Sequence, residues 1–230
     1  MIDVQNDFKI RSEEVTRYFQ FLREFDERRI VFQGSPSKPA MTAVEQTSLL
    51  KTLKANGFLL LYNLVESTLK NAVEAIFDEF KTRSVSFDSC IESVRNIVLA
   101  NVKKRSVSDL LAALSSISVD VVTTTFRKDE LFSGNVDGRR IREIAESYGF
   151  RDPAKNSNKL LTVKTNRNDL AHGNKSFAEV GRDYDINELE KIQEEVVTFL
   201  EELLANVADY ITTRAYLSSP PPATQIAASP

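Results

Sequence analysis

Apolar residues recur at three- and four-residue spacing through most of the chain, the period of a helix buried on one side. The longest such stripe is Leu49, Leu50, Leu53, Leu60, Leu61, Leu64, Val65, Leu69, Ala72, Val73, Ile76 and Phe80. It predicts one long, largely buried helix over residues 45–82, which at ~1.5 Å per residue spans the whole domain. Gly57 interrupts the stripe and marks either close helix packing or a bend. Upstream, Ser12-Glu13-Glu14 reads as a cap with an acidic first turn, followed by Val15, Tyr18, Phe19, Leu22, Phe25 and Ile30 on one side. Gly34 to Pro39 reads as a loop, because two prolines in four residues forbid a continuous helix.

Downstream, Ile91, Val94, Ile97 and Val98 predict a shorter helix, and Ser108-Asp109 starts another through Leu111, Leu114 and Ile117. The β-branched run Val119 to Thr125 fits a short strand or a distorted helix end. Asp137 caps a helix containing Ile141, Ile144 and Ala145, which Gly149 ends. Lys159 to His172 reads as a helix with Leu160, Val163 and Leu170 inward, stopped by Gly173-Asn174. The last long helix starts at Asn187 and carries a stripe from Leu189 to Ile211. After Leu217, SSPPPATQIAASP has no core pattern and is expected to be a flexible tail. The expectation is an all-α bundle of about six or seven helices, divided into an N-terminal helix and loop (1–44), a helical domain (45–217) and a tail (218–230).

Composition narrows this picture. Only 7 glycines and 7 prolines interrupt 230 residues, which agrees with long helices. No apolar run approaches the ~20 residues needed to cross a bilayer, and MIDVQNDFKI lacks the basic start and apolar stretch of a secretion signal. A cytoplasmic location, away from membranes, is expected. The single cysteine, Cys90, has no internal disulfide partner and, beside Ile91 and Val94, reads as a core thiol. A net charge of −3 argues against coating long nucleic acid but leaves room for a local phosphate pocket.

The chain has one histidine, within Arg167-Asn168-Asp169-Leu170-Ala171-His172-Gly173. Imidazole chemistry near neutrality therefore falls to His172. Arg167 adds a permanent forked cation suited to a phosphate. Five positions apart, these two lie about 140° apart around an ideal helix, whereas Asn168 and His172 share a face. On periodicity alone the Arg-Asn-Asp run also fits a solvated helix face, and His172 fits a helix C-terminal residue. Lys164 and Lys175 flank the motif as candidate phosphate contacts. Asn63 and Glu66 are polar residues among leucines that either project towards the motif or face solvent. Lys103-Lys104-Arg105 and Arg139-Arg140-Arg142 are short basic clusters, and Gly134 to Gly138 resembles an anion-binding turn without the P-loop Lys-Ser/Thr. No metal-ligand cluster stands out.

Arg167-Asn168-x-x-x-His172 resembles the signature of the HEPN superfamily, α-helical domains that include many metal-independent ribonucleases. Asn168 fills the polar slot of that signature, and the motif ends a penultimate helix before a loop and a long amphipathic helix. The segment NRNDLAHGNKSFAEVGRDYDINELEKIQEEVVTFLEEL is similar to a bacterial stand-alone branch found with toxin–antitoxin and defence loci, and the resemblance covers about residues 45–215. It implies a HEPN-like helical bundle forming a two-fold dimer whose two motifs meet at the interface. It further implies a metal-independent endoribonuclease, a toxin or antiphage-defence effector without cofactors, with an antitoxin or defence-system partner. His172 would take the proton of the RNA 2′-hydroxyl, Arg167 would stabilise the phosphoryl charge, and Asn168 would position the ring or the phosphate. One toxin subclass carries a tyrosine where this chain has Asn174, so regulation by modification of that tyrosine does not carry over. The alternative is a catalytically silent HEPN-like adaptor binding RNA or a partner protein.

Overall fold

A computed structural model describes residues 1–30, 32, 34–35, 39–104, 106, 126, 135–154 and 158–219. Among them the chain is all-helical. Helix α1 spans Ile2–Asp26, α2 Ala43–Thr82, α3 Glu92–Lys103, α4 Gly138–Tyr148, α5 Asn158–Ala171, α6 Phe177–Arg182 and α7 Ile186–Thr212, with a 3₁₀ turn at Phe87–Ser89 before α3. The helix expected from Ser108 and the ambiguous run Val119 to Thr125 lie outside the described residues.

α2 organises the bundle, packing against α1, α5, α6 and α7. It begins with a reciprocal capping box: the Thr42 side chain accepts from Glu45 N, and the Glu45 carboxylate accepts from Thr42 N at 2.8 Å. Its stripe is fully buried from Leu61 onward, with Leu61, Val65, Leu69, Val73, Ile76 and Phe80 at zero exposure, whereas Leu49, Leu50, Leu53 and Leu60 are only half-buried. Gly57 does not break the helix. A Cβ there would lie 3.0 Å from Phe19 Cζ, so the missing side chain lets α1 come close.

α1 starts earlier than Ser12. Met1 is its N-cap, Gln5 N bonds Met1 O at 3.0 Å, and the Ser12 hydroxyl bonds back to Lys9 O inside the helix. The reason is the apolar stripe, which extends back to buried Phe8; Ile30 falls beyond the helix end. Phe8, Val15, Phe19 and Leu22 belong to the same continuous core as α2 and α7, so the N-terminal helix is part of one packed unit with the rest.

A further helix, α6, is absent from the periodicity reading. It has six residues, too few for a helical stripe, but its start carries a second capping box between Ser176 and Glu179. α7 begins one residue before Asn187, because Asp185 caps it and Glu188 closes the box. After α7 the chain turns back, and Ile91 N bonds Tyr216 O at 2.9 Å while Ser218 N bonds Ser89 O at 2.9 Å. Cys90 sits buried beneath that return, as a core thiol.

Candidate functional site

The end of α5 sets the site. Gly173 N bonds Leu170 O at 3.3 Å and Asn174 N bonds Asp169 O at 2.9 Å, the paired closure of a Schellman motif. Gly173 adopts φ +69 with no atom within 4 Å of a built Cβ, so glycine is needed for backbone conformation rather than for space. His172 is therefore the C-cap residue, exposed at the mouth of a tight turn, with its N–H bonded to Asn168 O at 2.9 Å.

Arg167 lies one and a half turns back and is half-buried. Its guanidinium carbon stands 4.5 Å above the centroid of the Tyr62 ring, and Nη1 donates to Asn168 Oδ1 at 3.0 Å. Cation–π attraction fixes the plane of the group from below, and the neighbouring amide fixes its edge. The Asn168 amide in turn donates to Asn135 Oδ1 at 3.2 Å. Asn168 thus holds the arginine, rather than the histidine ring.

Tyr62 is the residue that the sequence reading missed. It lies in the buried stripe of α2, only 1% exposed, and its hydroxyl accepts from Val136 N at 3.2 Å. Burial pushes its phenol above the usual value, partly opposed by that N–H; the Glu66 carboxylate adds to the rise and Arg167 counters it. A tyrosine among leucines is the available signal, since a buried phenol usually has a polar partner. Of the two α2 residues singled out instead, Asn63 is exposed and Glu66 pairs with Lys70 at 2.6 Å while facing Tyr62.

Both candidate lysines have carboxylate partners. Lys164 forms an ion pair with Asp137, the cap of α4, with both side chains largely covered. Burial raises the Asp137 carboxyl, but the hydrogen bonds from Lys164 and from Arg140 N, with the charges of Lys164 and Arg139, hold it below its usual range. The anion-binding turn suggested by Gly134 to Gly138 is thus filled by the protein's own carboxylate, with Gly134 itself outside the described residues. Lys175 lies 3.9 Å from both Asp169 and Asp183. Behind the helix, buried Asn166 donates to Tyr184 Oη at 2.9 Å, and the Tyr184 ring meets Phe58 edge-on at 4.8 Å between centroids. These contacts lock the rotation of α5 about its axis. Among the described residues no group of three or more His, Cys, Asp or Glu side chains could hold a metal.

An all-helical bundle that presents an Arg-Asn-x-x-x-His string at the closed end of its penultimate long helix defines a HEPN-type domain. The chain matches the MAE_28990-like HEPN family over residues 3–216 and belongs to that family. Its superfamily contains many ribonucleases. The match begins at residue 3 and so takes in α1, which the resemblance in sequence did not cover. No curated protein and no solved structure matches the chain. Among the described residues, no helix is long and apolar enough to cross a membrane.

Proposed function

We propose that the protein is a metal-independent endoribonuclease that cleaves RNA by transesterification through its own 2′-hydroxyl. The observation that carries this reading is the end of α5, where an exposed imidazole at the C-cap accompanies a guanidinium pinned by Tyr62 and Asn168. His172 acts as general base on the 2′-hydroxyl, and the freed oxygen attacks the adjacent phosphorus. Arg167, held before the substrate arrives, stabilises the charge gathering on the phosphoryl oxygens. Asn168 is its positioning residue, and Lys175 contacts a flanking phosphate by leaving Asp169 and Asp183, each 3.9 Å away. Lys164 reaches a phosphate by exchanging its pair with Asp137.

The proton for the leaving 5′-oxygen comes from His172 of the partner subunit in a two-fold dimer that joins the two motifs. Products are a 2′,3′-cyclic phosphate and a 5′-hydroxyl, and DNA is not cut because it lacks the nucleophile. In the cell this activity makes the chain a toxin or antiphage-defence effector, restrained by an antitoxin or defence partner in the cytoplasm. Purified wild type, Arg167→Ala and His172→Ala incubated with total RNA in EDTA test the reading. Cleavage by wild type alone is expected. Equal inactivity of all three would overturn it in favour of a silent adaptor.

A further inference from the structure

Helix α4 carries its charges against its own dipole. Arg139, Arg140 and Arg142 lie in its N-terminal half, while Glu143 and Glu146 lie towards its C-terminal end. A helix is stabilised by the opposite order, with anions first and cations last. Arg142 is paired with Asp152 at 3.4 Å, whereas Arg139 and Arg140 share the one carboxylate of Glu143 and stand at the positive end of the dipole, where an added anion is favoured.

Two side-chain contacts hold the start of α4 against the site helix. Asn135 accepts from Asn168 at 3.2 Å, and Asp137 pairs with Lys164 one turn further back along α5. Arg139 lies close enough to Asp137 for its charge to lower that carboxyl's pKa. From His172 back to Lys164 is about 12 Å along the helix axis, so α4 begins a few nucleotides from the reacting group. Arg139 and Arg140 are 83% and 47% exposed, and their pairing with Glu143, at 3.9 and 3.0 Å, is of the open surface kind that a phosphate displaces readily.

We infer that Arg139 and Arg140 extend the site into a track for the backbone phosphates of single-stranded RNA, running from His172 past Lys164 to the start of α4. This rests on the ribonuclease reading for the class of substrate but not for the chemistry. Binding of a 2′-O-methyl RNA of about 12 nucleotides, within the span typical of single-strand sites, tests it, because such RNA has no free 2′-hydroxyl and is not cleaved. Fluorescence anisotropy would compare wild type with R139Q/R140Q and R139K/R140K at roughly 50 to 300 mM salt. The glutamine variant is expected to raise Kd about tenfold and to flatten the slope of log K against log salt by about 1.4, at about 0.7 per phosphate lost. The lysine variant is expected to restore most of both. A glutamine variant with wild-type Kd and slope would overturn the track, as would a wild type that binds no RNA. Binding that depends on the arginines, by a wild type that cuts nothing in EDTA, would uphold the track and defeat the nuclease reading.

Discussion

Tyr62 and Asp137 show how single residues set the chemistry of the site. Tyr62 offers Arg167 a π-face at 4.5 Å and accepts the Val136 N–H at 3.2 Å, two separable tasks. Tyr62→Phe keeps the ring and loses the acceptor, while Tyr62→Leu loses both. Single-turnover cleavage is expected to fall about tenfold in Tyr62→Leu, from a cation–π contribution of about 1–2 kcal/mol, and to stay near wild type in Tyr62→Phe. A leucine variant that is folded and fully active would mean that the ring does not hold Arg167. Asp137 caps α4 and pairs with Lys164. Its folded pKa is depressed, so its contribution is present above the ordinary carboxylate range and is lost as pH falls through the lowered value. Asp137→Asn keeps a good N-cap acceptor but loses the charge that faces Lys164, and should cost about 1 kcal/mol at pH 7, shrinking towards zero in acid. Urea denaturation across pH 2 to 7, approximately the range over which carboxylates titrate, would show a pH-independent difference if the pair contributed nothing. Arg167 and His172 were legible in the sequence as candidates, because their chemistry belongs to the side chain itself. Tyr62 was not, since it reaches Arg167 only after α2 and α5 pack.

At the scale of elements, close helix contact decides which glycines matter. A Cβ on Gly181 would lie 1.8 Å from Lys51 O, backbone against backbone between α6 and α2. A Cβ on Gly57 meets only the tip of the Phe19 ring at 3.0 Å. Gly181→Ala should therefore destabilise by about 3 kcal/mol. Gly57→Ala should cost no more than about 1 kcal/mol, because the gain in helix propensity offsets the displaced ring. Equal midpoints for the two in denaturant titrations would refute this account of the α2–α6 crossing. The long helices were legible because their stripes run for many turns, and Asp137, Gly149 and Gly173 marked ends that the backbone honours. α6 was not, because six residues show no period and only Ser176 with Glu179 betrays its start. The start of α1 differs from the sequence pattern for a related reason: Ser12 looks like a cap, but the buried Phe8 behind it carries the helix further back.

Among the described residues, one continuous core joins α1 to the site helix through α2 and α7. The Gly34 to Pro39 stretch separates an N-terminal helix from the rest along the sequence, a signal of chain direction rather than of packing. Assembly is the larger question at this scale. The proposed mechanism needs a second imidazole, so light scattering at working concentration should give the mass of a dimer, and a strict monomer would remove the shared site. Transesterification leaves its own chemical signature on the RNA ends. RNA incubated with the protein in EDTA should yield 2′,3′-cyclic phosphate and 5′-hydroxyl ends by mass spectrometry, and His172→Ala should yield neither. Ends bearing 3′-hydroxyl and 5′-phosphate, or cleavage that EDTA abolishes, would contradict the account.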